Sequence, residues 1–378
     1  MSAPSPTARA SAPSTAAAMR PLHLFLTGPT YVRPEILAAM ARPMIGHRGP
    51  EFAALYRSVS ERLGRYAGTR AMPILCTGSA TALLEAAIRS LVPGRSLHTV
   101  CGAFSERWKE IAQMNGKATV FVEAPLGQAV RAEALETALA GGSFDAVCVT
   151  HSETATGVLH DLPSIAAVLR GFPDVLFLVD AVSSFAAAPI DVDALGIDLL
   201  VTGTQKALAL PPGLAIAFAS ERALARAREA REAGWYLSLA RLAESAAQGG
   251  TPTTPNIPLF FALDRQLDDL LQETLPARLE RHGRMAAMAE AFCLRTGLEV
   301  LPEPGFRSPA LTVALTPGLD AERVRAEARR RGWVLGSGYG PFKGRCFRVG
   351  HMGDHDEAEL AELLETLEDV IGELRGRS

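Results

Sequence analysis

The sequence predicts an α/β protein, a mostly parallel sheet flanked by helices and followed by a smaller α+β unit. Three observations carry this. Short β-branched apolar runs alternate with helical periodicity through the first two thirds of the chain, the pattern of βα layering. Polar clusters sit at the ends of those runs, where open sheets of this class place their chemistry. Beyond that stretch the pattern changes to helix, strand, helix, two short strands and a last helix. The expected organisation is a disordered tail over 1–20, a large domain over 21–265 and a small domain over 266–378, within reach of a 378-residue chain.

In order, residues 1–20 are Ala/Ser/Pro-rich and predict no structure. They lack acidic residues, as transit peptides do, but Pro4, Pro6 and Pro13 oppose an amphipathic helix. No apolar leader core is visible, and Met19 offers an alternative start. Residues 72–76 read as a strand, followed by a helix from Ala82 with Leu83, Leu84, Ala87, Ile88 and Leu91 on one face. Further strands are expected over 146–150, 175–179, 199–202 and 214–218. Residues 220–247 read as helix with a solvated face on which acids and bases alternate. The prolines at 252, 255 and 258 force an extended loop, and a long amphipathic helix is expected from Leu259. The small unit should contain a strand over 310–315 and helices over 321–331 and 357–374.

Composition excludes several function classes. A net charge of −3 without a basic stripe gives no basis for nucleic-acid binding. No apolar stretch approaches the roughly 18 residues of a membrane span. Cys76, Cys101, Cys148, Cys293 and Cys346 are odd in number and lack CxxC spacing, so buried free thiols in a reducing cytoplasm are expected. His351 and His355 flank Asp354 at i, i+4, but Gly353 and the missing Glu after His351 break the HExxH pattern. A solvated turn without metal is the expectation there.

Lys206 is one of only four lysines, with Lys109, Lys117 and Lys343, among 38 basic residues. A chain that prefers arginine keeps a lysine where guanidinium fails, and Schiff-base formation is such a place, because the amine can shed its proton. Lys206 follows an apolar run and precedes Pro211 and Pro212. Asp180 closes another apolar run; it is either a helix cap or a carboxylate serving a cofactor's ring nitrogen. Ser79, Ala80 and Thr81 open a helix, as an ordinary cap or as a phosphate cup. Thr154 lies in a polar cluster after the strand at 146–150. Neither GxGxxG nor a Walker A loop is present, which argues against dinucleotide or ATP binding.

An amine, a carboxylate and a phosphate cup together meet the needs of pyridoxal 5′-phosphate. The chain resembles the class V aminotransferases of the alanine–glyoxylate and serine–pyruvate type, fold-type-I pyridoxal-phosphate enzymes. The matching text includes LTGPTYVRPEIL (26–37), TGSATALLEAAI (77–88), GAFSERW (102–108), THSETATGVL (150–159), VDAVSSF (179–185), GIDLLVTGTQKALALPPGLA (196–215) and FRVGHMG (347–353).

The resemblance implies a seven-stranded-type sheet and a ping-pong transfer, through pyridoxamine phosphate, from a small amino acid such as alanine or serine to glyoxylate or pyruvate. It gives Lys206 the Schiff base and the proton shift, and Asp180 the pyridinium nitrogen. Val182 and Phe104 take the two ring faces, and Thr154 the ring hydroxyl. Ser79, Ala80, Thr81 and Gln205 hold the phosphate, with Thr254 arriving from the partner of a homodimer with shared sites. Arg348 seats the substrate carboxylate in bidentate fashion, and His47 and Arg48 approach the substrate entrance. The chain departs from the family with Phe at 104 where many relatives have Trp, and with Ala80-Thr81 for a frequent Gly-His. Thr251 also stands where some relatives have Tyr.

Phosphoserine or 2-aminoethylphosphonate transamination is the nearest alternative. A cysteine desulfurase is disfavoured by Gln205 before the lysine, where those enzymes have His, and by the lack of a placed cysteine. A non-catalytic relative is disfavoured because Lys206, Asp180 and Arg348 are all retained.

Overall fold

The computed structural model describes residues 22–376. The tail expected over 1–20, and the question of Met19, lie outside them. A seven-stranded sheet runs in spatial order Met72–Thr77, Leu214–Ala219, Leu199–Gly203, Leu176–Asp180, Ala146–Thr150, Arg95–Val100, Ala118–Glu123. Only Leu214–Ala219 is reversed, pairing antiparallel with both neighbours. All other pairings are parallel. The central strands are buried along their whole length, as the near-continuous apolar runs require when helices cover both faces.

The reversal of Leu214–Ala219 makes the segment after Gly203 a hairpin rather than a crossover, and Lys206 sits in its turn. The base of that turn is stitched by Thr204 N–H to Leu214 O at 3.1 Å, Leu210 N–H to Thr204 O at 3.1 Å and Thr204 Oγ1 to Pro211 O at 2.8 Å.

The helix Ala80–Leu91 buries Leu83, Leu84, Ala87, Ile88 and Leu91, the face read from the sequence. It begins two residues earlier than expected, which brings Ala80 and Thr81 into its first turn. The single helix expected over 220–247 is two helices, Glu221–Glu229 and Leu239–Ala247. Gly234 with φ of 71° and the Ser238 cap divide them. The helix expected from Leu259 spans Ile257–Glu273, because Asn256 caps it and Pro258 fits its first turn.

The second sheet has the order His23–Phe25, Trp333–Ser337, Cys346–Gly350, Leu311–Leu315, Glu299–Val300. Two features bear on the expected organisation. The strand His23–Phe25 pairs in parallel with Trp333–Ser337, so this segment belongs to the second sheet. A boundary at 265/266 would cut the helix Ile257–Glu273, whose Leu267 and Leu270 still pack in the first core. The second core gathers Phe25, Met285, Phe292, Phe347 and the buried face of Glu357–Gly376.

His351 and His355 are buried, against the solvated turn expected for them. His351 Nε2 meets Thr312 Oγ1 at 3.0 Å. His355 meets Leu24 O at 2.9 Å and stacks on Phe25 with ring centroids 4.0 Å apart. The His355 contacts bind the first strand to the loop after Gly350. Among the described residues no helix is long and apolar enough to cross a membrane.

Candidate active site

Five strand ends converge at the carboxyl edge of the large sheet. The residues that follow them line one cavity of 190 Å³: Ser79, Ala80 and Thr81, then Phe104, Thr154, Asp180 and Val182, and finally Gln205 and Lys206. Nine of the thirteen residues singled out in the sequence thus share one space.

Lys206 is 8% exposed, and its amine donates to Thr27 O. Burial, and next the nearby Arg348 charge, push its pKa down to about 8, while Asp180 and Glu153 pull it the other way. At that value roughly a tenth of the amine is neutral at pH 7, far more than for an ordinary lysine, and the neutral form is the one that attacks a carbonyl carbon.

Asp180 ends the strand Leu176–Asp180. Among the described residues its one hydrogen-bond donor is Val182 N–H, 2.9 Å from Oδ1. Burial raises its pKa to about 6 against the lowering effect of that bond, and the Glu153 charge raises it further. A buried carboxylate with one oxygen left for the cavity suits a cationic ring N–H. The helix-cap alternative is not realised, since no helix follows until Glu221.

Ser79 occupies the N-cap position of Ala80–Leu91, yet its side chain makes no capping bond. The hydroxyl and the N–H groups of Ala80 and Thr81 are therefore available to an anion in the cavity, whereas Ala82 N–H is bonded to Ser79 O at 2.9 Å. Thr154 Oγ1 lies 2.5 Å from Ser183 Oγ. Arg348, on the strand Cys346–Gly350, donates through Nη1 to Thr154 O at 2.9 Å and through Nε to Ser337 O at 2.7 Å. Two of its five N–H groups are so used, and its charge still acts on Lys206.

Thr254 and His47 stand apart. They meet each other, Oγ1 to Nε2 at 3.4 Å, and neither lines the cavity. Arg48 is engaged with Thr251 O and Pro252 O in the same region.

Three residues escaped the sequence reading. Glu153 is fully buried and accepts from Phe104 N–H, Ser105 N–H, Ser105 Oγ and Ala155 N–H, at 2.9 to 3.1 Å by the shortest contacts. It thereby anchors the start of the helix that carries Phe104 beside the Thr154 segment. Gly28 (φ +113°) lies so close to Lys206 that a Cβ there would meet Cε at 2.5 Å. Arg107 lines the cavity with its guanidinium 4.8 Å over the Phe104 ring and makes no ion pair among the described residues. The composition signal for Glu153 was present: an acid inside a buried Ser/Thr cluster needs donors, and Gly102 next to it leaves room for them.

A desolvated amine, a carboxylate with a free oxygen and an anion cradle around one cavity define a pyridoxal-phosphate enzyme of fold type I. The profile of the family described as aminotransferase class-V matches residues 14–296, and the chain belongs to that family. It is 33% identical over 362 residues to an L-aspartate–glyoxylate aminotransferase of Paracoccus denitrificans, covering 93% of this chain and 91% of that one. It is 32% identical over 357 residues to a protein named as the small subunit of a soluble hydrogenase in a Synechococcus species, covering 93% of each. The solved alanine–glyoxylate aminotransferase of a Nostoc species superposes with a TM-score of 0.89 at 30% identity, over 95% of this chain and 98% of that one. The protein is a pyridoxal-phosphate-dependent aminotransferase.

Proposed function

We propose that the amino donor is a small amino acid, alanine or serine, and the acceptor glyoxylate or pyruvate. The observation that carries the reading is the pairing of buried Lys206 and Asp180 on one small cavity with the Arg348 guanidinium beside it. When bound, the cofactor supplies an aldehyde and a ring that accepts the electron pair released at the substrate Cα. The chain's own residues do the rest. Asp180 would keep the ring nitrogen protonated. Val182 and Phe104 would hold the ring, Thr154 would bond its hydroxyl, and Ser79, Ala80, Thr81 and Gln205 would hold the phosphate. Lys206 would hold the cofactor's aldehyde end through its neutral amine, and that amine would be the group that moves a proton at the substrate Cα. Arg348 seats the substrate carboxylate through its remaining N–H groups.

In the same reading the enzyme is a homodimer. Thr254, exposed on its own chain, reaches the partner's phosphate, and His47 beside it faces the substrate entrance. The two hydrophobic cores support a large cofactor-binding unit and a smaller C-terminal one. Five buried free cysteines support a cytoplasmic location.

A dicarboxylic or phosphorylated donor is the second reading, favoured by Arg107, a cation on the cavity without an ion-pair partner among the described residues. The test is spectroscopic. The purified protein, incubated with pyridoxal phosphate, should develop a visible band that alanine or serine bleaches; aspartate or phosphoserine bleaching it faster would select the second reading. If no band forms, the assignment of the site fails.

A further inference from the structure

Three successive carbonyls of the lysine turn need donors. Thr30 N–H serves Gln205 O at 3.1 Å, and Ala209 N–H serves Lys206 O at 2.8 Å. The latter bond goes with a φ of 54° at Ala209, a strained value for a non-glycine residue. The third carbonyl, Ala207 O, has no such neighbour. It accepts from Arg278 Nη2 at 2.6 Å, a side chain 71 residues further along the chain.

Arg278 is 2% exposed. The same Nη2 meets Asp354 Oδ1 at 2.8 Å, and Nη1 meets Glu273 Oε2 at 2.5 Å. Asp354 also accepts from Arg33 Nε at 2.7 Å and from Gln266 Nε2 at 3.1 Å. Burying a guanidinium is costly, and a buried pair often stabilises no better than apolar packing of the same volume. What apolar packing cannot supply is a donor to Ala207 O, the carbonyl adjoining the reactive lysine. Asp354 lies just beyond Gly350, the end of the strand that carries Arg348. One buried ion pair therefore connects the turn of the amine to the strand of the carboxylate-seating arginine.

We infer that Arg278, paired with Asp354, is a positioning residue for Lys206, fixing the lysine turn relative to the strand of Arg348. The inference rests on the roles given above to Lys206 and Arg348.

The test uses the cofactor-loaded enzyme with Arg278→Met, Arg278→Lys and Asp354→Asn. The Met and Asn variants should keep the cofactor but lose about tenfold in kcat, equivalent to about 1.4 kcal/mol, with a smaller change in KM for the donor. Amide hydrogen exchange over 205–210 should quicken in both, a change that a role in global stability alone would not confine to this segment. Arg278→Lys, which retains a donor, should recover part of the kcat. Should Arg278→Met fail to fold, the near-isosteric Asp354→Asn decides. Wild-type kcat and wild-type exchange in a folded Met or Asn variant overturn the inference, as does lower stability with kcat intact. Borohydride reduction separates this outcome from failure of the underlying reading: label on a residue other than Lys206 in the wild type removes the role of the lysine itself.

Discussion

Gly28 and Lys206 share a space that admits no further carbon: a Cβ at Gly28 would lie 2.5 Å from Lys206 Cε and 2.8 Å from Nζ. Gly28→Ala should displace the amine and slow the growth of the cofactor band in apo-protein. It should also lower stability, since φ of +113° costs an alanine on the order of 1–3 kcal/mol. In a Lys206→Ala background the steric part should vanish and only the backbone part remain. Equal penalties in both backgrounds would disprove the clash.

The amine of Lys206 should titrate far below an ordinary lysine. Burial chiefly, and then Arg348, bring it to about 8, so its neutral fraction rises as pH rises through that value. Attachment of the cofactor to apo-protein should therefore accelerate up to about pH 8 and level off above it. Arg348→Met should move the midpoint upward by removing a like charge. A wild-type rate still climbing at pH 10 would contradict the assignment.

Asp180 carries the opposite burden. Burial is the main cause of its rise from 3.8 to about 6, so folding takes up a proton between those values. The stability it contributes is complete below 3.8 and is lost as pH rises through 6. Asp180→Asn should consequently raise the apo-protein Tm at pH 8, where the charge is a cost, more than at pH 4. The same change should reduce kcat by about 10²-fold or more, the scale of losing a proton-holding group at the reacting centre. Identical pH profiles of Tm for the two proteins would dismiss the account.

Arg348 has hydrogen bonds to Thr154 O and Ser337 O and keeps three N–H groups for a carboxylate. Arg348→Ala should raise KM for both the amino acid and the oxo acid by about 10- to 100-fold, from roughly 1.5–3 kcal/mol for hydrogen bonds to a charged group. An effect on one substrate alone would argue against a shared carboxylate seat.

Part of the site is legible because Asp180, Lys206 and the Ser79–Thr81 turn each follow an apolar run, whereas Phe104, Val182 and Gln205 come only with the family resemblance. A carboxylate at the end of 175–179, or a rare lysine after 199–202, is chemically out of place unless it has a task. The helix of 80–91 was legible from its apolar face. Gly28 was not, because its approach to Lys206 depends on His23–Phe25 joining a strand formed by residues 333–337, a pairing no local pattern announces. Arg278 was hidden for a similar reason: within an arginine-rich helix nothing distinguishes the guanidinium that is fully buried. His351 and His355 misled, since a Gly/Asp-rich turn reads as solvated until the first strand is laid over it. The break at 230–238 was masked by helix-forming composition on both sides.

The hairpin that holds Lys206 has a wider consequence. Closed at its base by paired strands and stitched across by Thr204, it cannot take insertions without unzipping the centre of the sheet. The turn around Gly340–Phe342, which carries exposed Tyr339 near Phe104, joins a strand pair of the second sheet, so a change there leaves the centre of the large sheet intact. The architecture thus separates a frozen reaction centre from an interchangeable outer rim, and a redesign of substrate choice should begin at the rim.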